Sequence, residues 1–385
     1  MKPLYRQVQP SVTMGLDQQA RALAAAGKDV VNLTAGQVDL PMPEQGKRAV
    51  VAALEADRTG YVPATGSADV KAAVRQRMDW NEGEVLISAG AKPLLNAAVA
   101  CLCGPGDEVI LPAPCYTSYP EMVRLAGGTP VMVPGDPKHD FIVTGETVEQ
   151  HITDRTKALL LNHPVNPTGA VYDAEALRKI VDVCAAHDLY LIADEVYSSF
   201  VYEGEFVSLY RFPEIRDRLI LVNAASKTYA MAGLRLGSAV APAPVAKAIG
   251  AYLSHALGCP CSLSERAALA VLTMDDGYEA ATKAVFRYRR DRLCQALSEI
   301  EGLETKKNAG AFYLWLDVSK MEDDISFCRK LLDQEGVALT PGSAFCCPGY
   351  VRLAYTKDVF ALLDAAARMK RFVERNYSSS SGVNS

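Results

Sequence analysis

The chain has 385 residues, of which 49% are hydrophobic and 22% are charged, so two or three domains with a large core are expected. The net charge of −5 and the lack of a basic stripe argue against a nucleic-acid partner. No apolar run approaches the roughly 18 residues of a membrane span, and residues 1–6 lack the apolar stretch of a signal peptide. We therefore expect a cytoplasmic protein without a membrane partner.

Short apolar runs alternate with helical stretches through the first two thirds of the chain. Helices are predicted over residues 16–26, 94–102 and 173–187. The predicted strands are short and apolar and lie at 84–88, 108–112, 130–133, 157–162, 190–193, 219–223 and 236–241. This alternation is typical of an α/β fold with a mainly parallel seven-stranded sheet.

The last third of the chain follows a different order. A long helix is predicted over 278–300, and shorter elements follow it: strands at 310–316, 337–339 and 350–354, and helices at 325–335 and 359–373. This order predicts a small α+β domain. The expected parts are an N-terminal segment joining the small domain (1–45), a large domain (46–277), the small domain (278–377) and a flexible, polar tail (378–385).

Two early segments carry candidate binding groups. The small residues Gly90 and Ala91 precede the helix at 94–102, and free backbone N–H groups at a helix start can bind an anion. Tyr116 lies in a turn after the second strand and could stack on a planar ring. Core packing is an equally common role for a single tyrosine.

Polar side chains follow two later strands. Asn166 opens a turn that reads Asn-Pro-Thr-Gly, and Asp194 follows the apolar run at 190–193. Open α/β sheets place ligands at this edge, where a carboxylate could pair with the nitrogen of a cofactor ring. Tyr197 could hydrogen-bond an oxygen of the same ring. An ordinary loop and an ordinary acidic residue remain the alternatives.

Lys227 lies between Ser226 and Arg235 in a segment that follows the apolar run at 219–222. A lysine can form an imine with an aldehyde cofactor if desolvation and nearby positive charge lower the pKa of its amine. The serine hydroxyl and the arginine guanidinium suit a phosphate. The alternative is a surface lysine that follows a buried strand.

Taken in order, these motifs resemble one family. The runs Asn-Pro-Thr-Gly at 166–169, Asp-Glu-Val-Tyr at 194–197 and Ser-Lys-x-x-x-x-x-x-x-Arg-x-Gly at 226–237 are similar to those of class I/II aminotransferases that depend on pyridoxal 5′-phosphate (PLP). The resemblance is nearest to the aspartate-aminotransferase-like subgroup and covers residues 11–371. It implies fold type I, PLP as cofactor, a homodimer, and amino transfer from an L-amino acid to a 2-oxo acid.

The resemblance also implies roles for residues around the cofactor ring. Lys227 would form the imine with PLP and shuttle protons, and Asp194 would pair with the pyridine nitrogen. Asn166 and Tyr197 would contact the phenolic oxygen, and Tyr116 would stack on the ring.

Further roles follow for the phosphate and the substrate. The predicted phosphate ligands come from two chains and are Ala91, Lys92, Ser226 and Arg235 of one chain and Tyr61 of its partner. Arg352 would hold the substrate α-carboxylate as a bidentate fork, with the backbone of Gly36 closing over it. No metal is expected.

The substrate side departs from the family pattern. Tyr116 stands where the family usually has a tryptophan, and Gln37 and Val38 depart from the usual N-terminal loop. These two differences suit an aromatic or less usual amino donor. Lys92, by contrast, is a cation that can be placed near the distal end of a substrate, and a cation there favours an acidic side chain, as in aspartate or glutamate. The alternative role of Lys92 is to lie beside the cofactor phosphate. The alternative activities are a β-lyase, a ring-closing lyase, an oxidase, or a non-enzymatic PLP-binding regulator.

The ten cysteines show no spacing typical of a zinc site, so free and mostly buried thiols are expected. The resemblance places the loops that hold Cys259, Cys261, Cys346 and Cys347 near the entrance of the active site.

Overall fold

The computed structural model describes residues 12–274 and 276–377, so residues 1–11 of the predicted N-terminal segment and the predicted tail at 378–385 lie outside it. The strands are β1 (Val31–Asn32), β2 (Glu84–Ser88), β3 (Glu108–Ala113), β4 (Thr129–Pro134), β5 (Thr156–Asn162), β6 (Tyr190–Asp194), β7 (Leu219–Ala224), β8 (Gly237–Ala241), β9 (Glu304–Thr305), β10 (Tyr313–Asp317), β11 (Val337–Ala338), β12 (Thr340–Pro341) and β13 (Tyr350–Ala354). The helices are α1 (Val12–Ala25), α2 (Glu44–Glu55), α3 (Ala68–Arg77), α4 (Ala91–Leu102), α5 (Ser118–Leu125), α6 (Gly145–Glu149), α7 (Ala174–Ala186), α8 (Ala225–Thr228), α9 (Ala243–Ala256), α10 (Ser262–Leu272), α11 (Tyr278–Leu297), α12 (Asp324–Glu335) and α13 (Val359–Tyr377). None of these described helices is long and apolar enough to cross a membrane.

The central sheet has seven strands in the order β2-β8-β7-β6-β5-β3-β4. Strand β8 is antiparallel to both of its neighbours, and all other neighbouring strands pair in parallel. Each strand begins and ends within one residue of its predicted bounds. The predicted fold class is therefore confirmed.

The middle of this sheet is buried on both faces. Along β5, Leu159 and Leu161 join one apolar cluster while Leu160 joins another, because successive side chains of a strand point to opposite faces. All six residues of β7 are buried in the same way. Helices cover both faces, which is why these strands read as continuous apolar runs.

A second sheet has four antiparallel strands in the order β12-β13-β10-β9. The N-terminal segment joins this part of the chain, because β1 pairs in parallel with β11. The predicted strand at 310–316 is shorter than expected: β10 begins at Tyr313, since Ala311 has a positive φ of 54° that interrupts extended backbone. The exact domain boundaries stay predictions.

The parallel strands determine where the polar residues meet. Asn162 ends β5 and pairs in register with Asp194, which ends β6. Strand β7 ends nearby at Ala224, and α8 follows at once. The carboxyl ends of three neighbouring strands therefore lie at one edge of the sheet, which is the usual ligand position in such folds.

The burial of β6 generates a stability prediction. Ile192→Ala should lower the free energy of unfolding by about 2–5 kcal/mol, because it removes fully buried atoms and leaves a cavity. Urea denaturation of the purified protein measures this loss. The control is Val51→Ala, at a side chain that is 53% exposed, where a change within about 0.5 kcal/mol is expected. Equal effects of the two changes would contradict the central position of β6.

Candidate active site

A cavity of about 350 Å³ lies at this edge of the sheet. Most of the predicted site residues line it: Gly36, Ala91, Lys92, Tyr116, Asn166, Asp194, Tyr197, Ser226, Lys227, Arg235 and Arg352. The predicted site residue Tyr61 does not line it and is 99% exposed on its own chain. The structure thus brings together residues that lie far apart in sequence, from Gly36 to Arg352.

Lys227 lies in α8, directly after β7. Its Nζ donates a hydrogen bond to the backbone oxygen of Gly36 at 2.5 Å. Burial lowers the pKa of this amine to about 8, and the positive charge of Arg352 adds to the effect, while Asp194 opposes it. Part of the amine is therefore neutral near physiological pH, as a nucleophile or base requires.

Asp194 is buried at the end of β6. Its Oδ2 accepts a hydrogen bond from the hydroxyl of Tyr119 at 2.7 Å, and its Oδ1 accepts one from the backbone N–H of Val196 at 3.2 Å. Burial raises the pKa of the carboxyl to about 6, and these hydrogen bonds oppose the rise. The carboxylate is consequently still ionised at neutral pH in an enclosed position.

Tyr119 is a site residue that the sequence analysis missed. It lies in the first turn of α5, three residues after Tyr116, and is buried. The rings of the two tyrosines pack edge to face with centroids 5.4 Å apart. Its position three residues after Tyr116, beside a turn already predicted to face the ligand, could have indicated it.

Arg352 projects from β13 and is held on several sides. Its Nη1 donates to the side-chain oxygen of Asn166 at 2.9 Å, and its Nη2 donates to the backbone oxygen of Thr34. The guanidinium lies 4.5 Å from the ring centre of Tyr313 and 4.7 Å from that of Phe345. Among the described residues its buried Nε has no partner. The fork is thus fixed in orientation at the cavity wall.

Tyr313 is a second residue that the sequence analysis missed. Its hydroxyl and that of Tyr197 hydrogen-bond at 2.8 Å. Burial, and then the contact with Tyr313, raise the pKa of Tyr197 well above its usual value. A Cβ at Gly36 would lie only 1.9 Å from the Tyr313 hydroxyl oxygen, so a residue with a side chain cannot replace this glycine without displacing the ring.

A candidate anion site lies where α4 begins. Gly90 precedes the helix with a φ of 99°, and among the described residues no side chain caps the first N–H groups. The guanidinium of Arg235 reaches this point and donates to the backbone oxygen of Ala89 at 3.3 Å. A Cβ on Gly90 would lie 2.3 Å from Nη2 of Arg235, so the glycine permits the approach. A helix start with an adjacent guanidinium favours a phosphate.

These groups fit PLP. The phosphate can be bound at the start of α4 by Arg235 and the buried Ser226, and the pyridine nitrogen can be bound by Asp194. The aldehyde can react with the amine of Lys227, whose pKa is lowered. Lys92 also lines the cavity, with its Nζ 5.3 Å from the ring centre of Tyr116.

The lowered pKa of Lys227 predicts a pH-dependent stability of the cofactor-free protein. The pKa of the Lys227 amine is about 8 in the folded chain and 10.5 in the unfolded chain. Below pH 8 both states carry the proton, and burial of the ammonium lowers the stability of the folded state. Between pH 8 and 10.5 the folded chain loses its proton first, so this cost disappears. Lys227→Met should stabilise the protein near pH 7 by about 3 kcal/mol, and the gain should vanish as the pH rises through the range.

Urea denaturation at a series of pH values measures the difference. The matched control is Lys247→Met, at an exposed lysine, which should show little effect at any of these pH values. A gain for Lys227→Met that stays constant with pH would contradict a buried, destabilised ammonium.

Comparisons with known proteins agree with this geometry. The family model for aminotransferase class I and II matches residues 28–367. A probable aspartate/prephenate aminotransferase of Thermus aquaticus is 38% identical over 379 residues, which cover 96% of this chain and 98% of the relative. An aspartate aminotransferase of Geobacillus stearothermophilus is 36% identical over 380 residues, which cover 95% and 96%.

Solved structures give the same result for the fold. The crystal structure of aspartate aminotransferase from Thermotoga maritima has a TM-score of 0.92 and 35% sequence identity, and the match covers 97% of this chain and all of that chain. The predictions of fold type I, of PLP as cofactor and of an aminotransferase are therefore confirmed, while the roles of single residues stay predictions. The chain belongs to the class I and II aminotransferases and is a PLP-dependent enzyme.

Proposed function

We propose that this aminotransferase exchanges an amino group between an acidic L-amino acid, such as aspartate or glutamate, and a 2-oxo acid. The observation that carries the proposal is the presence of two cationic side chains, Arg352 and Lys92, in the lining of one cavity. An acidic amino acid has two carboxylates to pair with them. The relatives' names, aspartate aminotransferase and aspartate/prephenate aminotransferase, support the same substrate class.

Asp194 and Tyr119 would act together on the cofactor ring. Bound PLP supplies an electron-accepting ring that stabilises negative charge at the α-carbon of an amino acid. The ionised Asp194 would hold a proton on the pyridine nitrogen. The Tyr119 hydroxyl orients that carboxylate through the 2.7 Å hydrogen bond and helps to keep it ionised despite its burial.

Lys227 would act as the base and acid of the reaction. Its Nζ, when neutral, can accept the proton from the α-carbon of the substrate and later return it. A pKa of about 8 suits both steps, since proton transfer is most efficient when the pKa of the catalytic group lies near the working pH. Burial and the charge of Arg352 together maintain that value.

Arg352 would fix the α-carboxylate of every substrate. Its hydrogen bonds to Asn166 and Thr34, and its position between the rings of Tyr313 and Phe345, hold the guanidinium in place before the substrate binds. A preorganised fork of this kind orients the α-carbon toward Lys227 without further loss of conformational entropy.

The working unit would be a homodimer in the cytoplasm. Tyr61 is a tyrosine with a fully exposed ring, and such residues are enriched at protein interfaces; its proposed role at the partner's phosphate accounts for the exposure. All ten cysteines lie within the described residues as free thiols, which supports a reducing compartment.

The first prediction from this proposal concerns the reaction itself. Aspartate or glutamate should convert the cofactor absorbance of the purified enzyme to that of the amine form, and a 2-oxo acid should restore it. Lys227→Ala should reduce exchange by several orders of magnitude, since base and acid are lost together. It should still bind PLP, but without the covalent attachment that borohydride makes permanent in the wild type. Covalent attachment at another residue in this variant would rule out Lys227.

The second prediction concerns substrate choice. Lys92→Ala should lower kcat/KM for aspartate by about 10-fold to 100-fold, because a charge-assisted hydrogen bond is lost. An apolar donor such as alanine should be affected much less. Lys92→Arg, which keeps the charge, is the matched control and should retain part of the preference. Equal losses for both donors would show that Lys92 serves the cofactor instead.

The third prediction concerns assembly. Heterodimers of Lys227→Ala and Tyr61→Phe chains should regain up to about half of the wild-type activity, because one site collects both changes and the other collects neither. Each homodimer should be impaired. An absence of recovery in verified heterodimers would show that each chain builds its own site.

A further inference from the structure

Two cysteines from distant parts of the chain meet beside the active site. Cys115 follows β3 and immediately precedes Tyr116, and Cys346 follows the turn at Gly342–Phe345. The backbone N–H of Cys115 donates to the backbone oxygen of Phe345 at 3.2 Å. This link holds the two cysteines close together, which is compatible with the α-carbon separation of about 4.4–6.8 Å that a disulfide spans.

The two thiols also shift each other's pKa. The neighbouring Cys115 thiol, as a hydrogen-bond donor, lowers the pKa of Cys346 to about 7. Partial burial opposes this shift, the charge of Arg124 adds to it, and the charge of Glu121 works against it. The same contact, together with burial, raises the pKa of Cys115 well above its usual value. One thiol is therefore partly ionised near neutral pH, while the other keeps its proton.

The thiol with the lower pKa is also the more accessible of the two. Cys346 is exposed and Cys115 is buried. An exposed thiolate reacts first with an oxidant, and a second thiol in contact with it then closes a disulfide. The neighbouring Cys347 is only partly exposed, and burial raises the pKa of its thiol to about 11.

From this arrangement we infer that Cys346 and Cys115 form a redox modification site, which peroxide oxidises to a disulfide that slows turnover. The Cys346 thiolate attacks hydrogen peroxide, the O–O bond breaks, and a sulfenic acid and hydroxide form. The Cys115 sulfur, on losing its proton, then displaces hydroxide from that sulfenic acid. In total two thiols are oxidised, one peroxide is reduced and two waters leave.

The bond would join parts of the molecule that hold the two ends of the substrate site. Cys115 neighbours Tyr116, which lines the cavity beside Lys92. On the other side, Phe345 packs on the guanidinium of Arg352. Any movement of the second sheet relative to the central sheet during binding or release would have to strain the disulfide, and such movements set the turnover rate of many enzymes.

The test uses the PLP-loaded enzyme, treated with a small excess of hydrogen peroxide and then alkylated. The expected product has lost two of its ten thiols and yields one peptide pair joined through Cys115 and Cys346. Its kcat should fall about tenfold, as expected for a restrained closing motion, and dithiothreitol should restore it.

Three variants make the result specific. Cys346→Ser and Cys115→Ser should each prevent the cross-link and the reversible loss. Cys261→Ser is the matched control, because Cys261 is also an exposed thiol with a lowered pKa. Partial burial raises that pKa, but hydrogen bonds involving Ser264 lower it by more. In this variant both the cross-link and the loss of activity should persist. Oxidation of Cys346 to a sulfinic acid without cross-linking, or a cross-link that leaves kcat unchanged, would overturn the proposal.

Discussion

Three charged groups are enclosed at one edge of a parallel sheet, and the site depends on how they balance. Lys227, Asp194 and Arg352 all line the same cavity, where burial disfavours each charge. Burial lowers the pKa of the lysine and raises that of the aspartate, while their opposite charges reduce both shifts. A partly neutral amine and an ionised carboxylate can therefore coexist in one cavity near neutral pH.

The backbone supplies this balance at low conformational cost. Asp194 ends a strand and Lys227 follows the next strand by three residues, so both side chains are held by the most buried part of the sheet. Arg352 comes from the second sheet and is held by hydrogen bonds and two aromatic rings. Rigid elements fix the orientation of the reacting groups better than loops do.

The boundary between the two sheets holds both the proposed substrate-binding groups and the proposed redox pair. The backbone of Gly36 accepts the lysine hydrogen bond, and Phe345 and Tyr313 pack on the arginine. The thiol pair of Cys115 and Cys346 spans the same boundary. A disulfide at a position that links both walls of the cavity can affect turnover.

The sequence by itself determined the strands of the central sheet, because apolar runs that are buried on both faces need no information about their neighbours. It also indicated Lys227, Asp194 and Asn166, since strand ends and turn residues are local signals. Only the tertiary structure decided that Tyr119 bonds to Asp194, that Tyr313 excludes a side chain at Gly36, and that Cys115 meets Cys346. These are contacts between residues distant in sequence, or between side chains whose directions depend on packing, and no local pattern encodes them.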